Sequence, residues 1–526
     1  MNNAFSRRDF LKGALAIGAS AAAFGFTGAA PAFADGEEKT IKEVIEKNIV
    51  IAGAGAAGML AAYEAGKAGA TDVLVISNSA TATATNGSMV SGTCAVETAA
   101  CKEAGETMTV DGLYDRMIDF AHWTVNARLL KTCVNYLPGN IEIFDEMGIP
   151  TTLAGDRYGI GFQEVHLFND GTKGAKMQEY IESNFGVEFM FNTEGQELVV
   201  TDGKVTGIIA KNADGDYIQI NAKAVVLACG GYIANEEMVK EVYGDMDIVA
   251  LSTAYQNGTG IKMAEGAGAF RESTHGMGLS DIVGANKNAG FDLGNNMLLG
   301  IGLYGGLLVD QYGKRFMNEY MLANESMAGG GEATLHVKNY NAIISQKVLD
   351  ALGTSSYYDY IGRPEFWTSG MLLYSAPIED LDSKLQDAFD KGWCIKADTI
   401  EELAEMAEMP NLVDTVKEYD AMVADGKDTM FGKRIEMMIP VEDGNAPYYM
   451  FKFNPGAFNT FGGCRTDEFC RALRADFSVI DGLYIAGVEN GSLYSRPYYD
   501  VGGTCSGLAY SSGRLAGQQA AAYAAM

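Results

Sequence analysis

The chain has 526 residues, with 39 Lys and Arg against 68 Asp and Glu, a formal charge of -29, and 48% hydrophobic residues. That acidity argues against nucleic-acid binding and against docking on anionic lipid, both of which need a basic face. The length exceeds one compact core and predicts two or three globular domains.

From the first residue onward, Ser6-Arg7-Arg8-Asp9-Phe10-Leu11-Lys12 leads into a mildly apolar run from Gly13 to Phe26 and a small-residue site at Ala32-Phe33-Ala34. Residues 1–34 read as a twin-arginine export signal, cleaved near Asp35. An alanine- and glycine-rich core is too weakly hydrophobic for a membrane anchor, so no integral membrane segment is expected in the mature chain. A periplasmic or extracytoplasmic location follows as an expectation.

Next, Ile49-Val50-Ile51-Ala52 runs into Gly53-Ala54-Gly55-Ala56-Ala57-Gly58-Met59 and an alanine-rich helix over 58–67. A strand, G-x-G-x-x-G and helix in succession predict a dinucleotide pyrophosphate site. The first glycine permits the tight turn, the second lets backbone approach the phosphates, and the third lets helix pack on strand. The helix N-terminus offers unpaired N–H groups to the anion. The second strand, over 72–77, ends in Ser77-Asn78, where the usual fingerprint carries Asp or Glu for the ribose hydroxyls. Ser77 or Asn78 would hold them more weakly.

Further strands are predicted over 188–192, 197–201, 204–211, 217–221 and 224–229, a layered α/β pattern. Between about 271 and 450 the texture changes to Gly-rich and Met-rich loops, with helices over 400–407 and 411–424, and reads as a second domain. After about 453 the strand and turn pattern returns. Val479 to Gly487 reads as a buried strand and a helix starts near Cys505, so this segment is expected to rejoin the first domain. The eight cysteines form no CxxC, no CxxCH and no zinc-like spacing, which leaves a metal site, an attached haem or a compact iron-sulfur motif without support. Free or partly buried thiols are expected.

Five motifs in order carry a family resemblance: Gly53/Gly55/Gly58, Ala224 to Tyr232 with Cys229-Gly230-Gly231, Asn257 to Ala264 with Gly258 and Gly260, Gly313 to Glu319, and Gly513 to Gly517. They resemble the fumarate reductase and flavocytochrome c flavoproteins. Glu418-Tyr419-Asp420 followed by Gly426 to Phe431 is similar to a signature of that family's capping domain. The resemblance implies an α/β fold in which a Rossmann-like FAD-binding domain is built from 45–270 and 453–526, with an α+β capping domain inserted at 271–452. It further implies FAD contacts from Ala54, Ala56, Ala57, Gln196, Val488 and Glu489, and a loop with Asn86, Ser91 and Gly92 crossing the cofactor. Gly503, Thr504 and Ser506, at the start of the last helix, would face the flavin pyrimidine.

The substrate side departs from that family. Its proton-donating arginine falls at Ala323, its clamping histidine at Asn459 and its C-terminal arginine at Asp500, which removes the dicarboxylate site. What stands instead is Tyr494-Ser495-Arg496-Pro497-Tyr498-Tyr499-Asp500 before Val501-Gly502-Gly503. A tyrosine four residues before that second glycine resembles the catalytic tyrosine of ketosteroid dehydrogenases, and the chain is similar in character to gut bacterial enone and enoate reductases of the cardiac glycoside reductase type. Tyr499 is the candidate proton donor, since hydride addition to the β-carbon of an activated double bond leaves an α-carbon that needs a proton. Arg496 and Tyr498 are its candidate partners, and His275, Asn459 and Asp500 are candidate substrate contacts. The expected activity is reduction of an activated C=C bond with electrons from a cytochrome, flavoprotein or quinol-linked partner in anaerobic respiration. The reverse ketosteroid-type dehydrogenation and a non-catalytic electron carrier stand as alternatives.

Overall fold

The computed structural model describes residues 39–154, 164–272, 276–279, 285–289, 297–302, 306–324, 329–355 and 377–526. The predicted export signal, residues 1–34, and His275 lie outside the described residues. The glycine-loop strand is Ile41–Ala52, and it is the centre of a sheet ordered Arg471–Leu473, Val479–Ile485, Tyr217–Leu227, Ile41–Ala52, Val73–Ile76, Glu188–Met190. All neighbours but the first pair run parallel. Glu194–Thr201 and Lys204–Lys211 extend the sheet as an antiparallel meander on Tyr217–Leu227. The C-terminal strand therefore hydrogen-bonds directly to a strand of the N-terminal half, at Leu483 beside Val225 and Ile485 beside Leu227.

Alternation along Ile41–Ala52 explains the two-sided core. Ile49 and Ile51 join the helix-covered apolar cluster, Val50 and Ala52 the cluster on the opposite face, and all four are buried. The predicted strands over 217–221 and 224–229 are one strand. The first strand begins eight residues before its apolar core at Ile49, because Ile41 to Lys47 pair with Tyr217 to Ala222 at a half-exposed end where charged side chains are tolerated.

Two helices cover the first face, Ala56–Lys67 and Thr504–Ala524. They touch backbone to backbone: a Cβ added at Gly513 would lie 2.1 Å from the Ala57 carbonyl oxygen. Arg514 Nε donates to Glu64 at 2.6 Å and Gln518 Nε2 to its other oxygen at 2.9 Å. The middle of the chain forms a separate antiparallel sheet, Leu307–Asp310, Tyr340–Ser345, Tyr448–Phe453, Cys394–Ala397, with two apolar clusters of its own. Predicted helices there are Ile400–Met406 and Leu412–Asp425. A buried cluster of Arg315, Glu319, Asp428 and Lys433 ties this unit together, with the Arg315 guanidinium donating to both carboxylates at 2.8 to 3.0 Å. Gly456–Phe461 continues from the middle sheet into a junction sheet with Val249–Ala250 and Gly276–Leu279.

Candidate active site

A cleft opens at the carboxyl ends of the parallel strands, where ligands sit in open α/β sheets. Its lining includes Gly53, Ala54, Gly55, Ala56 and Ala57 from the glycine loop, Ser77 and Asn78 from the second strand end, and Cys229 and Gly230 from the third. Asn86, Asn459, Val488 and Ser506 complete the predicted residues that reach it. Gly53 adopts φ +113°, and a Cβ there would stand 2.1 Å from the Ala228 carbonyl oxygen. At Gly55 a Cβ would meet nothing within 4 Å, so the loop backbone faces open space. The N-cap glycines Gly55 and Gly503 supply no side-chain cap, so Ala56–Lys67 offers first-turn N–H groups to an anion, while in Thr504–Ala524 the Cys505 N–H is already taken by the Tyr498 hydroxyl.

Other predicted contacts stand behind this lining rather than in it. Gly58 is the helix-to-loop contact, since a Cβ there would lie 1.8 Å from the Gly53 carbonyl oxygen. Gly260 gives room to Glu489, whose Oε2 would be 2.0 Å from an added Cβ. The Glu489 carboxyl is 1% exposed and accepts the Cys229 N–H at 2.5 Å, and burial pushes its pKa up to about 8. Glu489 thus braces the Cys229-Gly230 loop from beneath. Gly258 turns at φ +78° into the helix Thr259–Gly266, and Gly503 at φ +72° into the last helix. Thr504 folds its hydroxyl back onto the Val501 carbonyl. Ser91 and Gly92 serve a small sheet with Val165–Phe168. Gln196 donates its amide to Glu194, and it is Thr193, Glu194 and Gly195 that line the cleft.

The loop over the cleft, with Thr85, Asn86, Gly87 and Val90 in the lining, is held by a residue the sequence did not single out. Lys173 is 2% exposed and its ammonium donates to the carbonyls of Ser88 and Val90. Burial pulls its pKa down to about 8. No local pattern announces such a contact, because it spans 85 positions.

At the substrate end the replaced positions are occupied with protein partners. Asn86 Nδ2 donates to Asn459 Oδ1 at 3.0 Å, and Asn459 Nδ2 to the Cys505 thiol at 3.6 Å. Asp500 accepts two hydrogen bonds from Arg116, at 2.8 and 3.3 Å. Ala323 lies in the helix Glu319–Asn324. Tyr499 is 0% exposed, donates its hydroxyl to the Leu493 carbonyl at 2.8 Å and does not line the cleft; burial drives its pKa up. The Tyr498 hydroxyl accepts the Cys505 N–H at 2.6 Å, and its ring stacks on Phe461, which also stacks on Tyr494. Arg496 is exposed and forms an ion pair with Glu332 of the middle unit at 2.6 Å. All eight cysteines are free thiols. Among the described residues no cluster able to hold a metal and no helix long and apolar enough to cross a membrane is found.

The open glycine loop, the uncapped start of Ala56–Lys67 and a cleft lined from Gly53 to Ser506 fit a pyrophosphate-bridged cofactor such as FAD. A family profile described as FAD binding domain matches residues 48–505. A vinyl phenol reductase of Lactiplantibacillus plantarum is 27% identical over 492 residues, 90% of this chain and 96% of that protein. A fumarate reductase (cytochrome) of Shewanella frigidimarina is 26% identical over 489 residues, 90% of this chain and 77% of that protein. The solved structure of a 3-ketosteroid-Δ4-(5α)-dehydrogenase from Rhodococcus jostii RHA1 shares the fold, with a TM-score of 0.64, 20% identity, and coverage of 92% of this chain and 98% of that one.

Proposed function

The chain belongs to the FAD binding domain family and is an FAD-dependent oxidoreductase acting on carbon–carbon double bonds, and on that premise we propose that it reduces an activated double bond in an organic acceptor other than a dicarboxylate. One observation carries the reading. Asp500 and Asn459, standing where the arginine and histidine of a dicarboxylate clamp are expected, carry no positive charge for a substrate carboxylate, and the nearby Arg116 guanidinium is paired with Asp500.

Bound FAD supplies the hydride. Gly53 to Ala57, Cys229, Gly230 and the start of Thr504–Ala524 would hold it, with Lys173 and Glu489 fixing the loops they carry. The chain's other tasks are to orient the acceptor and bring a proton to the carbon beside the one reduced. We assign the grip on a substrate oxygen to Arg496, the exposed member of the C-terminal candidates, held toward the middle unit by its pair with Glu332. Tyr498 and Tyr499 form the framework that carries it, because both hydroxyls are engaged with backbone. The relative named vinyl phenol reductase suggests a vinyl group conjugated to an aromatic ring as the acceptor class. The relative named fumarate reductase (cytochrome) suggests a cytochrome as electron donor, with a flavoprotein or quinol-linked partner as the other sources. We further propose export through residues 1–34 and a role in anaerobic respiration. Cell fractionation of an Arg7→Lys, Arg8→Lys variant tests the export step, with retention inside the cell as the expected result.

The test of the activity is anaerobic reoxidation of the photoreduced protein by a panel of vinyl phenols, enones, enoates and fumarate. Rapid return of the oxidised flavin spectrum with one of the first three classes and none with fumarate is expected. Equal reoxidation by fumarate would overturn the reading.

A further inference from the structure

The second strand end lacks the acid expected there, and a carboxylate stands in the cleft wall one strand over. Val73–Ile76 and Glu188–Met190 are parallel neighbours, and their exits are stitched together: Ser77 N–H donates to the Met190 carbonyl at 3.0 Å and Thr193 N–H to the Ser77 carbonyl at 2.7 Å. This register delivers Glu194 to the wall of the cleft beside Ser77 and Asn78.

The polar groups that the strand end itself offers are turned elsewhere. Ser77 Oγ pairs with Ser79 Oγ at 2.8 Å, and the Asn78 amide donates to Glu194 Oε1 at 3.3 Å and to the Tyr255 carbonyl at 3.2 Å. Glu194 is ringed by neutral amides. Asn78 and Asn257 both donate to Oε1, while Gln196 donates to Oε2 at 3.1 Å. Among the described residues no cation pairs with it. A carboxylate has about four acceptor positions, so three amides leave one on Oε2, in a group that already lines the cleft.

We propose that Glu194 is the acid that recognises the adenosine ribose of FAD, accepting a hydrogen bond from a ribose hydroxyl in place of the residue expected at the end of the second strand. The amides of Asn78, Asn257 and Gln196 hold the carboxylate in place without neutralising it. This inference rests on the FAD assignment, which fails separately if the protein as isolated carries no FAD.

The test compares release of two ligands from the holoprotein on dilution, followed by flavin fluorescence: FAD, and FAD lacking both ribose hydroxyls of its adenosine, introduced by exchange. Glu194→Gln is expected to release FAD roughly ten- to a hundredfold faster than wild type, the size of a charge-assisted hydrogen bond. Wild type should release the dideoxy ligand faster by a similar factor, and the two proteins should release it at the same rate. Equal acceleration of both ligands by Glu194→Gln would reduce Glu194 to a structural part and overturn the proposal. So would wild type retaining the dideoxy ligand as well as FAD, a result that needs no variant.

Discussion

At the glycine end of the cleft, Gly53 and Gly58 are fixed by main-chain oxygens 2.1 and 1.8 Å from where a side chain would begin. At the far end, Asn459 and Asp500 are fixed by side chains 373 and 384 positions away in the sequence. The first arrangement is main chain against main chain, Gly58 on Gly53 and Gly53 on Ala228, and admits one residue type. The second is a pairing between distant elements, and either partner can be exchanged if the other changes with it. Under the proposed function, cofactor binding rests on the rigid end and acceptor choice on the end that is free to vary.

The largest effect expected from this contrast is at Gly58. Gly58→Ala drives a methyl into the Gly53 carbonyl, and a loss upwards of about 3 kcal/mol with purification of flavin-free protein should follow, read by thermal unfolding and the ratio of flavin to protein absorbance. A fully loaded, stable Gly58→Ala protein would break the contrast. Next comes Glu489. Its carboxyl is neutral in the fold up to about pH 8 but ionises near 4.5 when unfolded, so the unfolded state binds fewer protons across that window and stability falls as pH rises through it. Glu489→Gln should flatten the fall in melting temperature between about pH 5 and 8 relative to wild type.

Smaller effects belong to the exchangeable end. Tyr499→Phe leaves the buried Leu493 carbonyl without its donor, at a cost of about 1–3 kcal/mol in stability, while turnover should stay within about threefold of wild type. A general acid would instead lose 10²- to 10⁴-fold, roughly, and stopped-flow flavin reoxidation distinguishes the two. Smallest is the Arg116–Asp500 pair, whose side chains are 31% and 20% exposed. A cycle of Arg116→Ala, Asp500→Asn and the double variant should give a coupling of about 1 kcal/mol in unfolding free energy, and no coupling would mean that Asp500 is held by something else.

The same contrast explains what could be read from the residues alone. The glycine loop, the parallel strands and the return of the C-terminal segment rest on local patterns of Gly, Val and Ile, and the match from 48 to 505 supports the family they suggest. Glu194 lines the cleft and Gln196, two residues on, does not, because the resemblance that implies Gln196 does not fix which side chain beside the strand turns inward. Lys173 carries no local signal. The tyrosines before Gly502 resembled a catalytic pattern, yet only three-dimensional neighbours reveal that their hydroxyls are held by the backbone at Leu493 and Cys505.

The sheet that joins both chain ends also orders events in time during synthesis. The ribosome makes Gly53 early, but Ser506 and Ala509, across the cleft, emerge some 450 residues later, on the helix whose Arg514 reaches back 450 positions to Glu64. Flavin capture then has to wait for the helix Thr504–Ala524, and the yellow colour of a bound cofactor becomes a visible certificate that this helix has been made and docked.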